Sequence, residues 1–296
     1  ISSGGGIRIG GMNFGGSGLT DSWMVGANVR KETSDKKLNI GSNYMYSSND
    51  NLTENSRLRQ TFVQDSSFYY KSESVSSTWS QGHRANIDLE YKFNENTSIL
   101  FRPNVSIGNG TFDSRNNYQT YENYGGTYSV INSGNTASFG DNNSQQVNGN
   151  LLFRQRLGKP GRTFSVNTTY SYSNNETNGF NQSETTILQN APNIIDQRYE
   201  NNSLSYGIGA RASYTEPLGK NFFTELAYSY NFRKTDSDKT TFNKTSTGYD
   251  EVVDDYTTKY EYTIITQQIE LNLRKNEEKY NYVIGLNAQP SFTKSI

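Results

Sequence analysis

Apolar and polar residues alternate along this chain in a series of long arms. Leu204, Tyr206, Ile208, Ala210, Ala212 and Tyr214 alternate with Ser205, Gly207, Gly209, Arg211 and Ser213. After Glu216-Pro217-Leu218-Gly219-Lys220 the pattern resumes, with Phe222, Thr224, Leu226, Tyr228, Tyr230 and Phe232 against Glu225, Ser229, Asn231 and Arg233. A period of two gives a strand one apolar and one polar face, so two such arms around a Pro-Gly turn predict a β-hairpin. The same reading yields four more hairpins: 23–29 with 38–46, 85–93 with 99–107, 147–155 with 164–172, and 265–273 with 280–288.

Short turns join the arms at one end. At the other end the excursions 47–83, 109–145, 175–203 and 234–257 are polar and read as long loops. Outer-membrane barrels have this asymmetry, with short periplasmic turns and long extracellular loops. The arms also exceed the usual strand of about five or six residues. Tyr206 and Tyr214 bracket roughly 20 Å of height for a strand tilted by about 40°, close to a lipid-facing band edged by aromatic girdles. The pattern therefore predicts an all-β fold, part of an antiparallel up-and-down transmembrane β-barrel of about ten strands. Its wall occupies 20–296, after a Gly-rich extracellular loop over 1–19 that lacks the flanking strand and helix of a phosphate-binding loop. Two places fit the pattern badly. Pro103 falls inside an arm and predicts a bulge or local break. The change of phase between Tyr260, Tyr262, Ile264 and Ile265, Ile269 predicts one bulge near Ile264.

Composition narrows the choice. Only 32% of the 296 residues are hydrophobic, which would suit disorder, but 22 Tyr and 15 Phe do not. A barrel with a wet interior reconciles the two. No apolar run reaches the roughly 18 residues of a spanning helix, so a membrane protein of this sequence must cross as a closed sheet. The net charge of −1 leaves no basic footprint for nucleic acid. Cysteine is absent, which excludes disulfides and thiolate metal sites.

The segments GGMNFGGSGLTDSW (10–23), RQTFVQDSSFYYKSE (59–73) and HRANIDLEYKFNENTSILFRPNVS (83–106) resemble the barrel region of TonB-dependent receptor-like outer-membrane proteins of Bacteroidetes type. The resemblance implies a bacterial outer-membrane location and lipid as a partner. It also implies a longer protein with a plug domain, coupling to TonB, and uptake of a solute such as a chelated metal or an oligosaccharide. These motifs belong to a barrel wall and its loops, and none is a substrate signature. No plug or TonB box is recognisable, so the chain reads as the barrel portion.

Candidate chemistry is sparse. The polar positions Asp88, Glu90, Arg102, Arg154, Arg211, Glu225 and Glu270 are candidate lumen-lining residues, either contacting solute or forming a solvated wall of paired charges. His83 is the single histidine, at the meeting of a loop and a strand, so a His-based triad or multi-His metal site is excluded. Carboxylate pairs such as Asp254-Asp255 lie in loops too loose for acid–base work. The chain is expected not to be an enzyme and to need no cofactor. Aromatic residues among the loop amides are the more specific signal: Tyr69, Tyr70, Trp79, Tyr118, Tyr121 and Tyr124, with Phe68 and Tyr128, suit stacking on sugar rings or contact with a surface partner protein. Alternatively they extend the strands above the membrane and pack on one another. The rival readings are a non-transporting structural, adhesive or assembly barrel, and a soluble β-rich binding module. Leu226→Arg is expected to be costly and Ser229→Arg, on the other face, mild.

Overall fold

The computed structural model describes residues 7–9, 12–14, 18–63, 66–188, 190–277 and 279–296. A short hairpin pairs β1 (Ile7–Ile9) with β2 (Met12–Phe14), inside the stretch read as a Gly-rich loop. The long strands follow: β3 (Leu19–Glu32), β4 (Leu38–Val63), β5 (Ser66–Asn94), β6 (Thr97–Tyr124), β7 (Thr127–Arg156), β8 (Thr163–Ile187), β9 (Asn193–Gly219) and β10 (Phe222–Lys244). Then come β11 (Tyr249–Val252), a 3-10 turn (Asp254–Tyr256), β12 (Thr258–Asn276), β13 (Asn281–Ala288) and β14 (Ser291–Ser295).

Sequence neighbours are spatial neighbours. The sheet runs β3-β4-β5-β6-β7-β8-β9-β10-β12-β13, every pair antiparallel, with β11 beside β10 and β14 beside β12. All five hairpins read from the alternation are present. Among the described residues the sheet is not closed, because β3 pairs with β4 and β13 and β14 pair with β12.

The excursions read as loops are mostly strand. β4 and β5 stay paired from Leu38↔Tyr91 to Val63↔Ser66, and β6 and β7 from Thr97↔Gln155 to Tyr124↔Thr127. β8 and β9 do the same from Thr163↔Thr215 to Thr185↔Asn193. Period-two hydrophobicity marks a strand only where one face meets an apolar medium. Beyond that medium both faces meet water and take polar residues, while the backbone ladder continues unchanged. The turn after Tyr124 uses Gly125 and Gly126 at φ 58° and 88°, a region glycine enters without a Cβ clash. The last excursion divides: β10 runs on to Lys244, and β11 and the 3-10 turn fill part of 245–257.

The two irregular places resolve differently. Pro103 pairs with Gly149 in register, but pairing with β5 lapses between Asn86↔Asn104 and Leu89↔Phe101 and resumes unshifted. That is a local break, as a missing N–H requires. No bulge occurs at Ile264, because β10 and β12 pair without a shift from Phe222↔Lys275 to Lys239↔Thr258. Tyr260, Tyr262 and Ile264 therefore share a face with Glu270. Keeping one unbroken ladder outweighs the phase of three side chains.

Packing is inverted relative to a soluble sandwich. One lateral row of partners reads Leu38, Tyr91, Ile99, Phe153, Val166, Ala212, Tyr228, Ile269 and Ala288, crossing from β4 to β13 without a polar side chain other than the tyrosine hydroxyls. Large side chains on this face are open, with Ile208 at 52%, Leu226 at 54% and Leu286 at 75% exposure. The buried hydrophobic residues, Met45, Leu100 and Ala227, lie on the opposite, polar face. The accessible surface is 19611 Å². A compact soluble monomer of this mass would expose about 12,600 Å². Such a belt of open apolar residues requires lipid.

Candidate functional site

The polar face gathers all seven candidate lumen charges, because each occupies the alternate phase of its strand. Arg102 donates through Nε to Asp88 Oδ2 at 3.0 Å, joining β6 to β5. Arg154 Nη2 reaches Glu90 Oε1 at 3.1 Å across the width of β6. Arg211 is the densest node: it donates to both oxygens of Glu270 at 2.6 and 2.8 Å and to Glu225 at 3.3 Å. It also donates to Ser229 Oγ at 3.4 Å. The fork of a guanidinium matches a carboxylate, which fixes the geometry of this three-strand group. Amides continue the wall, with Asn104 donating to Asn86 and Asn150 to Asn167. The seven charges thus satisfy one another.

The aromatic candidates do not form one cluster. Strand alternation separates them by face. Tyr69 and Tyr121 lie on the face of the apolar belt, stacked at 5.4 Å with planes 10° apart, and Tyr128 packs on them at 5.9 and 5.8 Å. Trp79 shares that face lower on β5, between Asp50 and Thr111 in the ladder. Tyr70 and Tyr118 stack at 6.2 Å on the polar face, where Arg59 lies 5.5 Å over Tyr70 and Tyr118 Oη meets Thr185 Oγ1 at 2.8 Å. Tyr124 stands exposed beside the Gly125 turn. These rings lie on strands above the belt and in part pack on one another.

Three groupings escaped the sequence reading. His83 lies within β5 on the belt face, not at a strand end; its Nδ1 is 2.7 Å from Tyr44 Oη and its ring 4.8 Å from Tyr46, which packs on Trp23 at 4.9 Å. This is one edge of the aromatic girdle, and the phase His83, Ala85, Ile87 carried the signal. Second, Glu216, beyond Tyr214 at the turn end, accepts from Arg162 at 2.6 and 2.8 Å and from Tyr214 at 2.6 Å. Arg162 first, then the Tyr214 hydroxyl, draws its carboxyl down to about 2. Third, Asp196 high on β9 accepts from Lys244 at 2.8 Å, Tyr249 at 2.7 Å and Gln182 at 3.1 Å. Burial alone would raise this carboxyl, but the three donors hold it below its ordinary range. Arg162 lies 54 residues from Glu216, and Lys244 lies 48 from Asp196, so these ion pairs leave no local pattern.

Among the described residues no group of three or more His, Asp or Glu side chains is placed to hold a metal ion. No described helix is long and apolar enough to cross a membrane, which leaves crossing to the strands.

Comparison with known proteins agrees with this geometry. The model of the outer membrane protein beta-barrel family matches residues 155–294. Among solved structures, Acinetobacter baumannii OccAB4 is 7% identical, with 94% of this chain and 97% of that chain covered at a TM-score of 0.11; so low a score carries no argument. No curated protein matches the chain. The family match, the up-and-down sheet and the open apolar belt together place the protein in the bacterial outer membrane as a β-barrel wall.

Proposed function

We propose that this wall belongs to a transport barrel of the TonB-dependent receptor type, taking up a solute such as a chelated metal or an oligosaccharide. The observation that carries the reading is the two-sided sheet: an unbroken apolar row outside and a charged, hydrogen-bonded face behind it. That second face would line a water-filled lumen, with Asp88, Glu90, Arg102, Arg154, Arg211, Glu225 and Glu270 as its charges. The plug domain and the TonB coupling enter through the resemblance of segments 10–23, 59–73 and 83–106. A surface partner protein is compatible with the tall extracellular hairpins.

A second reading, a non-transporting structural, adhesive or assembly barrel, is favoured by the mutual pairing of all seven charges, which leaves none of them free for solute. Uptake separates the two. Cells carrying the full-length protein should accumulate a labelled ferric chelate or oligosaccharide, and a protonophore should stop it. A deletion strain that takes up every tested solute as its parent does would remove transport from the account.

A further inference from the structure

The outward-facing tyrosines point to a ligand that never enters the lumen. Leu58, Tyr69, Tyr121, Tyr128 and Val130 line a cavity of about 480 Å³ on the belt-side face of the upper β4–β7 strands. Beside it, Lys71, Asn117, Gln119, Ser133 and Asn135 line a second cavity of about 390 Å³. Both are shallow recesses that open broadly to solvent, suited to one face of a sugar ring. The surface is open, with Leu58 at 66% and Tyr128 at 60% exposure. Its platform is fixed, since Tyr69 stacks on Tyr121 and its phenol accepts from Gln60 Nε2 at 2.7 Å. Aromatic faces offer a flat apolar support to the C–H face of a pyranose ring, and amides and hydroxyls alongside offer donors and acceptors to its hydroxyls. Lys71 is neutralised by Glu73 at 2.8 Å and Glu184 adds a further carboxylate to the second recess, so the site disfavours acidic sugars.

Position selects the source of the glycan. Tyr69 stands roughly 35 Å above His83 at about 3.3 Å per residue and a tilt near 40°. It faces away from the polar wall. A solute entering the barrel meets Tyr70 and Tyr118, whereas a glycan carried on an outer-leaflet lipid would reach Tyr69 from outside the wall. We propose that Tyr69, Tyr121 and Tyr128 form a binding platform for neutral, lipid-linked surface polysaccharide of the protein's own membrane. The inference rests on the outward assignment of the belt face, not on transport.

Hydroxyl-radical footprinting of the full chain tests it in two kinds of vesicle, one of lipopolysaccharide bearing a neutral O-polysaccharide and one of the same lipid without it. Tyr69, Tyr121 and Tyr128 should lose at least about five-fold of their labelling in the first, with Tyr70 and Tyr118 unchanged. The same O-polysaccharide, freed from its lipid and added to the second vesicles, should restore the protection, and Tyr121→Ala should abolish it in a barrel whose heat-modifiable migration is normal. Equal labelling in both vesicles, equal protection of Tyr70 and Tyr118, no effect of the freed polysaccharide, or protection that survives Tyr121→Ala each overturns the proposal. Shielding of Tyr206 and Tyr228 by lipid in both vesicles reports insertion, so failure of the site is distinguishable from failure of the membrane reading.

Discussion

Leu226 and Ser229 stand three residues apart on β10 and face opposite media. Leu226 is 54% exposed on the belt, so Leu226→Arg near the bilayer midplane is expected to cost about 2–4 kcal/mol. Polarity alone makes Ser229→Arg look harmless, but Ser229 is 7% exposed and already accepts from Arg211. A second guanidinium there would crowd the first and break its hold on Glu225 and Glu270, so this variant is expected to be costly too. Asn231→Arg, exposed on the same polar face, is the mild one. Urea titrations of folding into vesicles give all three values. Gly149 makes a related point beside Pro103. A Cβ at Gly149 would lie 2.5 Å from the Arg102 carbonyl oxygen and 2.9 Å from Pro103 Cα, backbone atoms that cannot yield. Gly149→Val should therefore destabilise the barrel by about 1–3 kcal/mol in the same titration, although valine favours strands.

Individual hairpins were legible where lipid imposes alternation, and only there. The arms 204–214 and 222–232 announced themselves because every second residue is apolar. Residues 66–82 of β5 continue the same ladder with Ser and Tyr on both faces and Lys71 and Glu73 on the belt side, so no apolar alternation marked them. The clips that tie elements together were hidden for another reason, since they join residues far apart in sequence. At the turn end Glu216 titrates near 2 in place of its ordinary 4.5. A depressed carboxyl contributes stability above its unfolded value and loses it as pH falls through the folded one. Acid unfolding followed from pH 5 to pH 2, a window of about that shift, should show this loss, and Glu216→Gln should flatten it while weakening the barrel at neutral pH. At the other end Asp196→Asn should free β11, read as faster proteolysis within 245–257 with the membrane-embedded strands intact.

For the whole molecule, the order of strands follows from hairpin succession, and the face of each charged candidate follows from parity. Asp88, Arg102 and Arg211 could be assigned to one wall from the sequence for that reason. Which charge pairs with which depended on lateral register, and the separation of Tyr69 from Tyr70 depended on the loops being strand. Alternate residues of these arms meet hydrocarbon while their neighbours do not, and the rest of the structure follows from that. A chain without cysteine allows that to be measured directly. Single cysteines placed in turn from Glu225 to Phe232, each spin-labelled in lipid vesicles, should show high collision with oxygen at 226, 228, 230 and 232. The labels at 225, 227, 229 and 231 should favour a water-soluble nickel chelate or be shielded from both. A profile without period two, or one with its maxima at the odd positions, would show that the even face of β10 does not meet lipid.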